Sequence, residues 1–535
     1  MAAQDDLFQR LEKLNEIGAS LSKERDINRL LESILIAAKS ITHADGGTLY
    51  RVREDGHALR FEILRTDSLK IAMGGTSGHT IDFADLPLYL DDGKPNDSMV
   101  AAYAAIHDKT VNIADAYTEE GFDFSGTRGF DVRTGYRSQS FLTVPMKNHE
   151  GEIIGVLQLI NAVDSTTSKV VPFSPADQGL AESLASQAAI ALTNRLLISQ
   201  LEHLFEAFIN LINLAIDEKS PYTGGHCQRV PALTMMIADA VSAIDEGPLA
   251  DFHMTDKDRY ELKIAGLLHD CGKVTTPVHV VDKATKLQTI FDRVALIDTR
   301  FEVLKRDAEI AALRRQLALR PKVNVEADAE IWHECIETIQ AIDDDRDFLR
   351  KTNVGGEAMR PEDQQRVRNI AEHRTWRNTD GVQSASLTAD EIENLTIRAG
   401  TLTQAERDII NHHIVATNKM LEKLPWPRHL QNVPEYAGGH HERMDGKGYP
   451  KGLTREQMSI PARIMGIADI FEALTARDRP YKPGMKLSQA MQIMANFKKN
   501  GHIDPELFDV FLAQGVYRKY AEAFLDREQI DEVTL

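Results

Sequence analysis

Between Leu180 and Lys219 the chain runs without a single Gly or Pro. Its apolar residues keep helical spacing throughout: Leu180, Leu184, Ala188, Ala191, Leu192, Leu196, Leu201, Leu204, Phe208, Leu211, Ile212 and Ala215. As one helix, such a run is about 60 Å long. It divides two kinds of sequence. Upstream, short β-branched and alternating stretches predict strands. Beyond residue 220 the spacing is helical throughout, with no convincing strand. The expectation is a multidomain chain: an N-terminal helix over 1–25, an α/β domain over 26–195, a connecting helix over 178–219, and an all-helical domain over 220–535. A length of 535 residues agrees with roughly two to four domains. The apolar face of the connecting helix suits a core position in either domain, or a parallel coiled coil in a homodimer.

The first part reads as follows. Leu7, Leu11, Leu14, Ile17 and Leu21 are spaced as a helix, and Asp26 stands as N-cap before Leu30, Leu31, Ile34 and Leu35. Residues 47–52 and 59–64 read as strands. Residues 141–146 and 153–160 flank Asn148-His149-Glu150-Gly151, a hairpin signal. Ser174-Pro175-Ala176-Asp177 then opens a helix, with Pro175 in its first turn.

This order, with residues 111–117, 135–138 and 142–146, resembles a GAF domain, an antiparallel sheet flanked by helices. GAF domains that bind cyclic nucleotides carry an Asn-Lys…Phe-x-x-x-Asp-Glu pattern. Asn161, Phe173 and Asp177 match it here, while Ala162 and Gln178 replace the Lys and Glu and remove their ion pair. The resemblance implies either a small-molecule sensor, with a cyclic nucleotide among the candidate ligands, or a domain that serves only in dimer packing.

Residues 440–450, His440-His441-Glu442-Arg443-Met444-Asp445-Gly446-Lys447-Gly448-Tyr449-Pro450, pack two imidazoles and two carboxylates into one segment. The Gly-x-Gly-Tyr-Pro run stops any helix and forces a turn. The segment resembles the signature of the HD-GYP family, with every specified position filled. Chance would match all eight identities about once in 10^10 starting points at roughly 5% per residue type. Upstream, a helix marked by Leu262, Ala265, Gly266 and Leu268 ends in His269-Asp270-Cys271-Gly272-Lys273, which resembles the HD phosphohydrolase signature His-Asp-x-Gly-Lys. Lys273 follows Asp270 by three residues and His269 by four, so one helical turn brings the ammonium onto their side. Asp469 sits in a very apolar helix, 461–474, where a carboxylate needs a partner.

The resemblance implies a metal-ligand set of His226, His269, Asp270, His413, His440, His441 and Asp469. His413 is preferred over His412 by the family pattern around 402–406 and 420–421, and neighbours on a helix point about 100° apart. Five imidazoles and two carboxylates suit two first-row divalent ions, iron or manganese, with no thiolate. Some family members hold a third ion through a Glu four residues before the first His. Tyr222 occupies that position here, so two ions are expected. Asp270 and Lys273 are the implied catalytic residues. Lys273, Gly448, Tyr449, Pro450, Arg479 and Lys482 are the implied contacts to substrate, with Glu472 standing where an Asp is usual and one extra residue before Arg479. Cys227 and Cys271, beside ligands, read as small apolar fillers. His57, His333 and His502 read as surface or packing residues.

The family implies hydrolysis of cyclic di-GMP to pGpG or on to GMP. The residues by themselves reach only metal-assisted phosphodiester hydrolysis. The alternatives are a non-catalytic module that binds a cyclic dinucleotide, a hydrolase of another cyclic dinucleotide, and an HD hydrolase of nucleotide monophosphates or (p)ppGpp, which the Gly448-Tyr449-Pro450 run disfavours. A formal charge of −19 disfavours a polymeric nucleic acid as partner. No apolar stretch approaches the about 18 residues of a membrane span. The acidic N-terminal residues and three unpaired-reading cysteines point to a cytoplasmic, reducing setting. Residues 288–399 are absent from compact relatives and read as a charged helical insertion, a lid, dimer surface or regulatory hairpin, with breaks expected at Asp343-Asp344-Asp345 and Gly355-Gly356.

Overall fold

The computed structural model describes residues 2–220, 225–319, 325–356, 358–477 and 484–534, with side chains from residue 8 onward. Its contacts divide the chain into two units, Met1–Phe205 and Glu206–Leu535.

The first unit is built on an antiparallel sheet. In chain order its elements are α1 (Ala2–Leu21), α2 (Ile27–Thr42), β1 (Ala44–Val52), β2 (Ala58–Thr66), β3 (Ile71–Gly74), β4 (Leu86–Pro87), α3 (Val100–His107), β5 (Val111–Ile113), α4 (Ser125–Thr134), β6 (Phe141–Lys147), β7 (Ile153–Val163), β8 (Val170–Val171) and α5 (Pro175–Lys219). The strand order is β3-β2-β1-β7-β6-β5, with β4 on β2 and β8 on β7. Leu49 faces Leu157, and Leu142 faces Leu159 across the ladders. Asp26 caps α2 by accepting the N–H of Arg29 at 2.8 Å. In the β6–β7 turn, the Asn148 carboxamide oxygen accepts the N–H groups of Glu150 and Glu152. On one face of the sheet, Leu30, Ile34, Leu35, Leu180, Leu184 and Ala188 form a core with Leu49, Leu142 and Leu157. On the other, Ala101, Ala102 and Ala105 of α3 pack on Tyr50, Leu59 and Val156. This is the layered arrangement expected of a GAF fold.

The three residues that match the cyclic-nucleotide pattern are framework here. Asn161, at φ 57°, accepts the N–H of Gln139 at 2.7 Å and donates to the Arg137 carbonyl at 2.8 Å. Phe173 is buried in the main core, and Asp177 accepts from Ser174 and pairs with Arg10. A separate cavity of about 360 Å³ lies beside the sheet, lined by Tyr50, Phe61, Phe130, Arg133, Tyr136 and Gln158 among others.

The second unit continues with α6 (His226–Ser242), α7 (Asp256–Leu268), α8 (Val278–Val281), α9 (Val294–Leu319), α10 (Val325–Asn353), α11 (Pro361–His373), β9 (Thr375–Arg377), β10 (Gln383–Ala385), α12 (Ala389–Leu395), α13 (Gln404–Leu421), α14 (Val433–Gly438), α15 (Ile460–Thr475), α16 (Leu487–Lys499), α17 (Pro505–Ala513) and α18 (Val516–Phe524). Two expectations fail here. The insertion contains a two-stranded hairpin, β9–β10, whose turn is organised by Asn378 accepting from Asp380 and Val382. Asp343-Asp344-Asp345 does not break the chain but lies inside α10, because Asp343 pairs with Lys305 and Arg346, and Asp345 with Arg366 and Arg374. The insertion has its own core of Ile297, Phe301, Leu304, Ile342, Leu349, Val367, Ile370 and Leu395.

Candidate metal centre

The N-terminal end of α6, the C-terminal end of α7, the middle of α13, the turn after α14 and the middle of α15 each bring a ligand-type side chain to one buried point. His226 opens α6, and His269 caps α7 with Asp270 next. Asp270 leads into a 3-10 turn over Cys271–Thr275, and that turn lies hard against α13. Gly272 is what permits this. A Cβ there would stand 2.0 Å from the His413 carbonyl oxygen and 2.6 Å from the Thr417 nitrogen, so a larger residue does not fit. Its N–H donates to the Thr417 hydroxyl at 2.9 Å. The glycine of the His-Asp-x-Gly-Lys run thus sets the separation between Asp270 and His413.

Four of the five imidazoles are anchored through Nδ1. Nδ1–H of His269 donates to the Gly266 carbonyl at 2.7 Å, that of His413 to Ile410 at 2.5 Å, and that of His440 to Ala437 at 2.6 Å. Nδ1–H of His226 donates to the Glu472 carboxylate at 2.5 Å. For His269, His413 and His440 this fixes the tautomer whose Nε2 lone pair is available, the arrangement a metal ligand needs. The Nε2 atoms turn inward. His226 Nε2 and His269 Nε2 lie 3.3 Å apart, as do His413 Nε2 and His441 Nε2.

Asp270 stands between the two imidazole sets. Its Oδ2 lies 3.0 Å from His226 Nε2 and 3.3 Å from His269 Nε2, and its Oδ1 lies 3.2 Å from His413 Nε2. Asp469 Oδ1 is 3.4 Å from His226 Nε2 and 4.0 Å from His269 Nε2. Two compact groups emerge, His226-His269-Asp270 and His413-His440-His441, each with ligand atoms within 4.8 Å of one another. The donor set fits two cations. The fully buried Nε2 of His440 has no hydrogen-bond partner, a costly state that a metal would relieve.

Charge in the cluster is tuned by burial and by neighbours. Burial pushes the His440 imidazole well below its ordinary value, and the His441 and His269 rings push it the same way. Burial holds His441 down at about 4 despite Asp469. Both are neutral at physiological pH. Burial opposes ionisation of Asp270, but Lys273, His269 and His226 hold its carboxyl well below the usual range. Burial likewise works against the charge on His226, yet Glu472 and Asp270 carry it up to about 9. The acids around His226 therefore carry negative charge that a cation would balance.

Lys273 Nζ donates to Asp270 Oδ2 at 2.5 Å and is partly exposed, at the mouth of the cluster. The Tyr449 ring stacks on His441 at 4.9 Å and 20°, and its N–H donates to the His441 carbonyl at 3.2 Å. Gly448 lets the loop fold back, since a Cβ there would stand 2.4 Å from the Arg443 nitrogen. The Tyr449-Pro450 bond is cis. Of the two carboxylates inside the 440–450 segment, neither joins the cluster. Asp445 pairs with Arg443, while buried Glu442 accepts the N–H groups of Lys451 at 2.7 Å and Leu453 at 2.8 Å, pinning the loop. His412 is exposed. Cys227 and Cys271 are buried thiols pushed up to about 12 and about 11 by burial. His57 and His333 are exposed, and His502 packs beside Phe497. Arg479, Lys482 and Tyr222 lie outside the described residues.

Sequence reasoning named Glu472 only as a departure from the family pattern and missed Arg229 altogether. Glu472 is fully buried and joins His226 to Arg229, whose Nε donates to it at 2.8 Å. The signal was the spacing: Glu472 follows Asp469 by three on α15, and Arg229 follows His226 by three on α6, so each lies on its ligand's face. Glu472 is better described as the orienting partner of His226 than as a substrate-side residue.

Comparison with known families places a GAF domain at residues 26–192 and HD domain matches at 223–333 and 385–507, on either side of residues 334–384. The chain thus carries an N-terminal GAF fold followed by a helical HD domain region. A 3'3'-cGAMP-specific phosphodiesterase of Vibrio cholerae is 38% identical over 120 residues, 22% of this chain and 27% of that protein. A cyclic di-GMP phosphodiesterase of Pseudomonas aeruginosa is 39% identical over 121 residues, 22% of this chain and 28% of that protein. A cyclic di-GMP phosphodiesterase of Thermotoga maritima is 33% identical over 120 residues, 22% and 32%. The chain therefore spans about a quarter to a third of the length of these relatives. Among solved structures, the GAF domain of an Acinetobacter phosphoenolpyruvate-protein phosphotransferase covers 36% of this chain and 98% of its own, at 16% identity and a TM-score of 0.27. Among the described residues, no helix is long and apolar enough to cross a membrane.

Proposed function

We propose that this chain, a GAF domain followed by an HD domain region, is a metal-dependent phosphodiesterase of the HD-GYP type that hydrolyses cyclic di-GMP to pGpG. The observation that carries the reading is Asp270, whose two oxygens face two separate imidazole sets with every fixed Nε2 turned inward. The ligands are His226, His269, Asp270, His413, His440, His441 and Asp469. When bound, two divalent ions, iron or manganese by their donors, supply an activated water and neutralise the phosphodiester. Asp270 orients both imidazole sets. Lys273 meets a phosphate oxygen from the open side, where its ammonium offsets charge developing during attack. Tyr449, braced on His441 between Gly448 and Pro450, walls the substrate groove, and Arg479 and Lys482 extend it by their place in the family pattern.

The GAF domain regulates this activity through a small ligand in the cavity beside its sheet, and α5 carries the state onward in a homodimer. Along α5, Leu197, Leu201, Leu204, Phe208 and Leu211 follow spacings of four, three, four and three, and all are between 45% and 63% exposed. That is the seam of a parallel coiled coil. Leu204→Glu should convert a dimer to a monomer in analytical ultracentrifugation.

The deciding assay mixes protein loaded with iron or manganese with cyclic di-GMP or 3'3'-cGAMP and resolves the products by chromatography. Turnover of cyclic di-GMP to pGpG is expected. Turnover of 3'3'-cGAMP alone reassigns the substrate. Tight binding without turnover under any metal makes the chain a binding module and ends the enzyme reading.

A further inference from the structure

The insertion closes on itself at its root. The Met359 N–H donates to the Arg398 carbonyl at 2.7 Å, and the Gly400 N–H to the Gly356 carbonyl at 2.9 Å. Beside this closure lies a cavity of about 380 Å³. Among the described residues, Lys286, Lys351, Arg360, Arg366 and Arg398 line it, against one lining carboxylate, Asp363. In a chain of net charge −19, that is a local inversion of sign.

Two of the five cations are already neutralised. Arg360 forms a bidentate pair with Asp363 at 2.9 and 3.1 Å, and Arg366 pairs with Asp345 at 3.3 Å. Among the described residues, no carboxylate pairs with Lys286, Lys351 or Arg398. Lys286 is the most telling of the three. It is 3% exposed and meets only neutral acceptors: the carbonyls of Leu395 at 3.1 Å and Ile397 at 2.8 Å, and the Met359 sulfur at 3.4 Å. Burial lowers its ammonium to about 8. A buried cation without a counter-charge is costly, and an anion in the cavity offsets that cost. Apart from Thr352, the rest of the wall is apolar. Phe348, with the Arg366 guanidinium 4.2 Å from its ring centroid, and Met359 offer a flat surface beside the charges.

We propose that this cavity is a binding site for a nucleotide, its phosphate held by Lys351 and Arg398 in the field of the buried Lys286 ammonium and its base against Phe348 and Met359. The volume lies in the range of small-ligand pockets. The site shares no residue with the metal centre and does not depend on the reading given for it.

The test titrates the full-length, metal-loaded protein with GMP by isothermal calorimetry. The wild type is expected to bind one equivalent more than Lys351→Glu/Arg398→Glu, or to bind that equivalent at least tenfold more tightly. His269→Ala should keep that equivalent, whatever the metal centre does, and Lys351→Arg/Arg398→Lys should restore it. Guanosine, which lacks the phosphate, should not occupy the site. Unchanged stoichiometry and affinity in the charge-reversed variant overturn the proposal, as does guanosine binding as tightly as GMP. If charge reversal unfolds the insertion, as circular dichroism would report, Lys351→Gln/Arg398→Gln is read by the same criteria.

Discussion

Replacing Glu472 by Gln tests whether the ring orientation at His226 is what makes the cluster a metal site. The substitution keeps shape and removes charge. The carboxylate accepts His226 Nδ1–H at 2.5 Å and a fork from Arg229, Nε at 2.8 Å and Nη2 at 2.7 Å. A carboxamide has one accepting oxygen, so its NH2 must face a donor on one side. One charged hydrogen bond is lost, and Arg229, only 17% exposed, loses the charge of Glu472. Breaking a buried pair costs about 3–5 kcal/mol, and the residual exposure of Arg229 argues for the lower end, about 3 kcal/mol. For a unit of this size, that is a fall in Tm of roughly 4 °C. Burial opposes ionisation of Glu472, but His226 and Arg229 hold its carboxyl down at about 2, so the full charge is present at neutral pH. Losing an orienting carboxylate behind a metal-ligating imidazole typically costs about 10–100-fold in metal affinity. The readouts are thermal unfolding and bound metal by elemental analysis after dialysis against buffered free metal. A lower Tm with unchanged metal affinity would refute the orienting role and leave Glu472 a purely structural residue.

Gly272→Ala should push the 271–275 turn off α13, because the added carbon would meet backbone rather than a flexible side chain. About 1–3 kcal/mol of stability should go, and metal stoichiometry should drop as Asp270 separates from His413; a fully metallated variant would contradict this. His413→Ala should lose bound metal while His412→Ala, on the exposed side of α13, should not, by the same elemental analysis. Burial disfavours the Asp504 charge, but Arg455 and Arg463 win and hold its carboxyl below the ordinary value. Its stabilisation is therefore complete above an unfolded-state pKa of about 3.9 and is lost as pH falls through the lower folded value. Asp504→Asn should be less stable at pH 7 by about 3–5 kcal/mol, and the gap from wild type should narrow below about pH 4; a constant gap from pH 3 to 7 in thermal unfolding would contradict the assignment.

The parts legible in the sequence are those in which local chemistry and long-range packing agree. Asp26 reads as a cap and caps; Asn148-His149-Glu150-Gly151 reads as a hairpin turn and makes one; residues 180–219 lie within one helix, Pro175–Lys219. The failures lie in the insertion. Asp343-Asp344-Asp345 looks like a break because three adjacent carboxylates repel, but partners on α9, α10 and α11 and beyond them, invisible in a local window, neutralise the outer two. The β9–β10 hairpin has strands too short to show alternation, although Asn378-Thr379-Asp380-Gly381 between them is a turn signal. At the metal centre, motif matching found ligand-type residues but not their partners. Orientation by a main-chain carbonyl, as at Gly266, Ile410 and Ala437, leaves no mark on residue identity.

Residues 283–406 share one buried network that joins α12 to the start of α13, the helix that carries His413. Lys283, 1% exposed, stands just before the insertion and donates to both oxygens of Glu406, at 2.8 and 2.7 Å, and to Asn394 of α12 at 2.8 Å. Glu406 is also the third residue of the capping box that starts α13, accepting the Thr403 N–H at 2.8 Å. Seven residues on, the same helix carries His413. The buried Lys283 ammonium cannot lose Glu406 without both charges being left unpaired, and its hydrogen bond to Asn394 ties the cap of α13 to α12. Lys286, three residues after Lys283, supplies the floor of the basic cavity and binds the carbonyls at the end of α12. A ligand anion there would act on α12, and through Asn394 and Lys283 on the start of α13. An insertion serving only as a spacer would not need to bury two lysines at its base.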